Sequence, residues 1–423
     1  MLSSAHHADV VIVGAGVSGL SAAHHLISSG ITVTVLEAGP ASGGRMATDE
    51  IDGFLLDRTG HLLTTSSPEL GRTAALADLR LRTFAPGVLV QSEGRRLVVT
   101  PPGSRGRVGP GARTAARALA SRSLDQARLS AALGRLAATP EDRLLARPDR
   151  TAAAALPRTF HGVLRPLLTS LLGDPELTTS RRCADLALRA FALGRLAVPE
   201  GGAAQLPALL AAGLPPGTVH TGVRVRSVST SAVTTEEHGV FRCRSVLLAT
   251  GARAAADLLP GLRVPDFHPV TVLHHTAPSA PALDTALLID GDRRGPVAHT
   301  AVMSAVDPSR APRGRTLITS TVLGAEPSER EVRAQLGALY GASTADWELL
   351  AVHHTPEAVP AMPPPQEVHR RVRVLAGLYV CGDHRDLNTV QGALHSARRA
   401  SHAVLRDLGV PAVPPRLAVP AAA

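Results

Sequence analysis

The chain has 423 residues and 44% hydrophobic content, enough for two domains with sizeable cores. All 44 basic residues are Arg, set against 35 acids for a formal charge of +9, and aromatic residues make up 2%. An all-Arg excess in an Ala-, Gly- and Pro-rich chain reads as compositional bias, and the shortage of aromatics excludes base-stacking platforms, so no nucleic-acid partner is expected.

The opening "MLSSAHHADV" lacks the basic segment of a signal peptide, and the apolar run after it is broken by Gly14 and Gly16. No uninterrupted apolar stretch reaches transmembrane length. Cys183, Cys243 and Cys381 lie too far apart for a CxxC pair or metal spacing, so a cytoplasmic protein with reduced, buried cysteines is expected. Residues 9–38 read as a strand (Asp9–Val13), a helix (Val17–Ser29) and a second strand (Ile31–Leu36), a βαβ unit. Gly14 permits the tight turn, Gly16 removes a Cβ that would block a pyrophosphate, and Gly19 lets the helix pack on the strand. Ser18 falls in the same turn, and phosphate charge would meet the positive helix end. Glu37, at the end of the second strand and followed by Ala38, is placed to accept ribose hydroxyls and disfavours a 2′-phosphate. The run "SGGRM" then puts Gly43, Gly44 and the forked guanidinium of Arg45 just past that acid, a geometry suited to a pyrophosphate oxygen pair.

With those residues in view, the sequence resembles the flavin-dependent amine oxidase superfamily, which also holds phytoene desaturases and protoporphyrinogen oxidases. Three pieces carry the likeness: "VVIVGAGVSGLSAA…VTVLEA", "SGGRM" with "DRTGH" after it, and "GLYVCGDHRDLNTVQGALHSARRAS". The resemblance implies an α/β protein with a Rossmann-like FAD-binding domain of the glutathione-reductase type, an interleaved α+β substrate domain on a mixed sheet, and non-covalent FAD. It places Arg58, Gly60 and His61 near the flavin, Val225 at the adenine, and Gly382 and Asp383 at the ribityl-phosphate region. It also places Val390, Gln391, Gly392 and Ala393, at the start of the last helix, beneath the flavin ring. His61 and His384 are the candidate proton acceptors, or simple hydrogen-bond partners of the cofactor.

Between Pro68 and Leu196 the sequence turns Ala-, Leu- and Arg-rich, with strand-like pieces in "RTFAPGVLVQSEGRRLVV" and helices over Thr114–Ala138 and Arg158–Leu172. The stretch 101–166 carries twelve Arg against four acids. It offers a contact for an anionic membrane surface or a carrier protein, although a solvated helical face in an Arg-biased chain is the preferred reading. "VPEGGAAQL" is a turn leading into a helix, "VHTGVRVRSVSTS" alternates as one strand, and "FRCRSVLLATG" is a buried strand. From Pro265 to Pro363, strands separated by Gly and Pro predict a mixed or antiparallel sheet with helices on one side, including a helix over Ser328–Tyr340. The domains expected are therefore 1–67, 197–264 and 364–410 for the cofactor, 68–196 and 265–363 for the substrate, and 411–423 as a flexible tail.

His274, His275, His353, His354 and His299 cluster in the second set of strands. Neighbours on a strand point to opposite faces, so these are expected to be sheet or pocket histidines and no metal is expected. Many amine-oxidising members of the superfamily place a Lys near flavin N5 and an aromatic cage around the substrate nitrogen. This chain has no Lys, and only Trp347, Tyr340 and Tyr379 to supplement six Phe. The expectation is therefore dehydrogenation of a hydrophobic small molecule, forming C=C or C=N, as in the desaturase-like or specialised-metabolism branch. An FAD-dependent monooxygenase, a non-redox flavoprotein isomerase and a non-catalytic FAD-binding protein stay open beside it.

Overall fold

The computed structural model describes residues 7–102 and 123–413. The first joint forms as strand His7–Val13, helix Val17–Ile27 and strand Val33–Leu36. The helix stops two residues earlier than the sequence pattern suggests, because Gly30 takes a φ of +81° and turns the chain back toward the sheet. His7–Val13 lies between Val33–Leu36 and Val240–Leu248, parallel to both, in register Val10 to Val33 and Val11 to Val246. Val240–Leu248 alternates exposed and buried over its first half and is wholly buried over its second. The first half pairs in an antiparallel hairpin with Ala232–Thr235, and the second is flanked by the parallel strands His7–Val13 and Leu378–Val380, with helices Val17–Ile27 and Val390–Leu408 on one face and hairpin and loop residues such as Val223, Val233 and Leu259 on the other. The eight strands of this sheet come from three separated stretches of chain.

"VHTGVRVRSVSTS" does not form one strand. Val219–His220 joins the edge of the parallel sheet, Gly222 breaks the run with a φ of +71°, and Val225–Val228 turns into the antiparallel hairpin. Periodicity alone could not show this, since both halves keep the same alternation.

A second, seven-stranded sheet runs in the order Glu348–Pro360, Phe267–Ala277, Thr316–Leu323, Val297–Val302, Leu288–Asp290, Val88–Ser92, Arg95–Val99. All neighbours are antiparallel except Leu288–Asp290 with Val88–Ser92, so the sheet is mixed. Side chains alternate cleanly across it: Ile289 and Leu317 face a core with helices His161–Leu172 and Arg181–Leu193, while Leu288 and Ile318 face helix Glu329–Tyr340. That last helix carries a full capping box between Ser328 and Glu331. Arg158–Leu172 is not one helix: Arg158–Phe160 is a 3₁₀ turn before the α-helix begins at His161. Helix Ser123–Ala138 is the described part of the one expected from Thr114. The basic stretch 103–122 and the tail beyond Val413 lie outside the described residues. None of the described helices is long and apolar enough to cross a membrane.

Candidate cofactor and substrate site

Two glycine turns meet back to back at the end of the first strand. Gly14 (φ +103°) donates its N–H to Leu36 O at 2.7 Å, and Gly43 (φ +125°) donates to Ala15 O at 2.9 Å. A Cβ on Gly44 would lie 3.5 Å from the Gly16 Cα, and one on Gly19 only 1.9 Å from the Gly14 carbonyl oxygen. Gly19 is thus required for helix–turn packing. Gly16 differs: a Cβ there meets no protein atom within 4 Å, so its lack of a side chain opens onto space rather than onto a neighbour. The Glu37 carboxylate accepts Ala15 N–H at 2.7 Å and Gly39 N–H at 2.8 Å, which fixes it beside this opening next to exposed Ala38. The Glu37 carbonyl is met by the N–H of Val223 at 2.8 Å, whereas Val225 lies in the hairpin opposite Thr235.

The late joint closes on the same place. After Leu378–Val380, Cys381 is fully buried, and Gly382 (φ +140°) donates to the Ser396 hydroxyl at 2.9 Å. Asp383 then reaches Arg45 at 2.7 Å, and Arg45 also donates to Ala358 O at 2.6 Å. Burial pushes the Asp383 carboxyl up, but the Arg45 guanidinium outweighs it and holds the acid below its ordinary value. The last helix, Val390–Leu408, is capped by Thr389, whose hydroxyl accepts Gly392 N–H at 3.2 Å. A Cβ on Gly392 would stand 1.9 Å from Leu387 O, so this glycine sets how closely the helix start folds onto the preceding turn. Ser18 donates to Ala393 O at 3.2 Å, stitching the first helix to the last across 375 residues. Gln391 accepts from the Ser67 hydroxyl and from Glu69 N–H, and Val390 is buried.

Beside this seam lies a cavity of about 230 Å³, walled by Gly60, His61, Leu171, Leu186, Leu323 and Val359 among others, with Val390, Gln391 and His395 at one end. Among the described residues no Phe, Tyr or Trp lines it. Trp347 and Tyr340 stack edge-on beneath the far face of the second sheet, and Tyr379 is buried in the first sheet against Asp407. Gly60 is held against the second sheet, where a Cβ would lie 2.6 Å from the Thr321 hydroxyl. Burial, reinforced by Arg45, pushes the His61 imidazole down to about 4, and its Nε2 has no partner. His384 is likewise pushed down to about 4 by burial, and both its ring nitrogens are unpartnered, but it does not line the cavity. Arg58 turns outward to Asp49 at 2.7 Å.

His274 bonds the Asp57 carbonyl and Thr319, His275 packs on Trp347 across the sheet, and His354 bonds Thr271. His299, buried and pushed down to about 4 by burial alone, lines the cavity wall. Two clusters escaped the sequence reading. Arg310, almost fully buried, donates to Asp57 at 2.6 Å, Asp307 at 3.1 Å and Pro199 O at 2.9 Å. At the cavity's polar end His369, Asp386 and His395 bring donor atoms within 4.8 Å of one another, and Arg399 reaches the same Asp386 oxygen at 3.0 Å, pairing that charge with a cation of the chain itself.

The family model for flavin-containing amine oxidoreductases matches residues 17–405. The chain belongs to the flavin-containing amine oxidoreductase family. Among curated relatives, putrescine oxidase of Kocuria rosea is 38% identical over 97 residues, 23% of this chain and 19% of that protein. Protoporphyrinogen oxidase 2 of Arabidopsis thaliana is 44% identical over 73 residues, 17% of this chain and 14% of that protein. The aligned stretches therefore span under a fifth of either relative. The solved structure of cyclohexylamine oxidase from Brevibacterium oxydans IH-35A superposes with a TM-score of 0.68 at 18% identity, covering 95% of this chain and 99% of that one, a likeness of fold. The resemblance, the α/β class and the flavin expected from the sequence are borne out. The flavin-containing family's cofactor fits the residues present: a Cβ on Gly16 meets no atom within 4 Å, buried ring nitrogens of His61 and His384 have no partner among the described residues, and the helix Val390–Leu408 starts at a capped, cavity-lining turn.

Proposed function

We propose that this flavin-containing amine oxidoreductase uses non-covalent FAD to dehydrogenate an aliphatic, hydrophobic small molecule, forming C=C or C=N, in the cytoplasm. The observation that carries this reading is the leucine-rich cavity, bordered by Gly60, His61 and Gln391 and lined by no Phe, Tyr or Trp among the described residues. Bound FAD supplies the two-electron acceptor. Gly14, Gly16, Ser18 and Gly19 would leave room for the pyrophosphate and offer it helix N–H groups, with Gly44 and Arg45 closing over it. Glu37, with Ala38 beside it, would accept the ribose hydroxyls on lone pairs that Ala15 and Gly39 leave free, and the Val223–Val225 backbone would border the adenine. Gly382 and Asp383 would hold the ribityl-phosphate region. The N–H groups at Val390, Gln391, Gly392 and Ala393, with the dipole of a 19-residue helix, would favour negative charge on the ring system above them. His61 and His384, kept neutral by burial, would serve there as hydrogen-bond partners.

Non-covalent binding accords with the cysteines, since burial pushes the thiols of Cys381 and of cavity-lining Cys183 up to about 12, away from the reactive thiolate. Leu171, Leu186, Leu323 and Val359 would exclude water and hold the substrate carbon skeleton. The test is anaerobic mixing of the yellow protein with a panel of aliphatic amines and unsaturated or cyclic hydrocarbons. Bleaching of the oxidised flavin band and a product two hydrogens lighter are expected. Unchanged product mass would mean isomerisation, and rapid bleaching by NADPH alone would mean a monooxygenase. A yellow pellet after acid precipitation would refute non-covalent binding.

A further inference from the structure

We propose that His395, oriented by the buried Asp386 carboxylate, is the proton-accepting side chain of the cavity. This rests on the dehydrogenation reading above.

Gln391 and His395 stand one helical turn apart on the same face of the last helix, and both line the cavity with Thr389 and Val390. His395 is therefore one turn from the helix start that borders the cofactor space. Its Nδ1 lies 2.9 Å from Asp386 Oδ2. Asp386 is 1% exposed, and the same oxygen also meets His369 Nδ1 at 3.0 Å and Arg399 at 3.0 Å, while its other oxygen accepts Leu387 N–H at 3.0 Å. Burial raises this carboxyl, but the histidine hydrogen bonds outweigh burial and keep it ionised. An ionised acid can only accept, so the Nδ1 of His395 carries the proton and its Nε2 presents the lone pair.

The two imidazoles on Asp386 are not equivalent. His369 is engaged at both nitrogens, its Nε2 lying 3.4 Å from Glu141, and is committed to holding the cluster together. Among the described residues no hydrogen bond engages the Nε2 of His395, whose side chain lines the cavity and is still 22% accessible. His61 and His299 also line the wall, but each is buried without a carboxylate bonded to its ring, so the imidazolium that a base must become is disfavoured there. Around His395 the carboxylates of Asp386, Glu69 and Glu141 face it, against His369 and Arg399, with Arg398 and Arg72 bound to Glu69 and Arg189 beside Glu141. This is the logic by which a buried Asp sets the tautomer of a catalytic His and stabilises its charged form.

The chemistry balances. Dehydrogenation removes two hydrogens, which together are two protons and two electrons. The substrate C–H leaves as hydride, with its electron pair, to the flavin oxidant. The hydrogen on the adjacent C or N leaves as a proton onto Nε2, and the pair from that bond closes the new C=C or C=N.

Diethyl pyrocarbonate, which acylates only neutral accessible imidazole nitrogen, reads the dyad without turnover. In the flavin-loaded full chain, peptide mass mapping should show His395 modified well ahead of His299 and His274. Asp386→Asn should slow that labelling about ten-fold or more, because an amide N–H pointed at Nδ1 moves the proton to Nε2. With any compound that bleaches the flavin, His395→Gln should lower the anaerobic rate by about 100-fold or more at unchanged flavin content. It should also remove the rise of that rate with pH. Slow labelling of His395, equal labelling in Asp386→Asn, or an unaltered pH profile in His395→Gln would each overturn the proposal. Failure of every compound to bleach the flavin would instead sink the dehydrogenation reading, and the labelling would still decide whether His395 presents a basic Nε2.

Discussion

Replacing Arg310 by Met keeps most of its aliphatic volume and removes the guanidinium that ties three parts of the chain together. Asp57 ends the strand Phe54–Asp57, Pro199 precedes the turn at Gly201 and Gly202, and Asp307 caps the short helix Met303–Val306; all three converge on one side chain that is 2% exposed. Breaking a buried ion pair from one side typically costs about 3–5 kcal/mol, because the remaining charge stays buried. Here two carboxylates would be stranded. Each keeps other donors, Thr48 and Ala203 on Asp57, and Gly201 and Ser309 on Asp307, so about 4 kcal/mol is expected rather than more. At about 2.1 cal/mol/K of unfolding entropy per residue, a chain of 423 residues gains about 0.9 kcal/mol per degree, and the thermal midpoint should fall by about 4–5 °C. Calorimetry of the flavin-loaded protein measures it. Adding Asp57→Asn and Asp307→Asn to Arg310→Met should recover part of the loss, since the stranded charges are then gone. A midpoint shift under about 1 °C for the single variant, or no recovery in the triple variant, would refute the electrostatic reasoning.

Gly16→Ala and Gly19→Ala separate cofactor space from packing: the first should leave the flavin-free midpoint unchanged yet lose bound flavin by about ten-fold or more, read from the absorption ratio of purified protein. Gly19→Ala should lower the midpoint, because its Cβ would overlap the Gly14 carbonyl. Hydrogen bonds to Asp386 and then Glu141 raise the His369 imidazole from 6.5 to about 9. A raised value means that its stabilisation is complete below pH 6.5 and is lost as pH rises through about 9, so melting curves from pH 6 to 10 should fall on the alkaline side and His369→Gln should flatten that fall.

What the sequence disclosed is what local backbone chemistry demands. Gly19 and Gly392 answer neighbours within about one turn, and Gly14 and Gly43 take a positive φ of their own, so their spacing already pointed to the two joints. The Asp386 cluster was half legible: the quoted motif contained both Asp386 and His395, yet nothing in it showed that the turn at Asp383–Arg385 would bury His384 and present His395 instead. Arg310 and Asp57 were not legible at all. They are 253 residues apart, and in a chain with 44 Arg a single buried one has no signature. His299 stood among the other histidines of the strands, and only the depth of the sheet separates it from them.

The central position of His7–Val13 has a consequence for synthesis. Its two neighbours are made at very different times, Val33–Leu36 at once and Val240–Leu248 some two hundred residues later. Leu378–Val380 and the last helix follow only after the whole second sheet has been made. A ribosome-bound chain therefore exposes an apolar strand edge until Val240–Leu248 has been made, and such edges invite pairing with other chains. Gly382 and the helix start at Val390 join the candidate cofactor site only after the second sheet has been made, so a chain stopped before them has no completed candidate site.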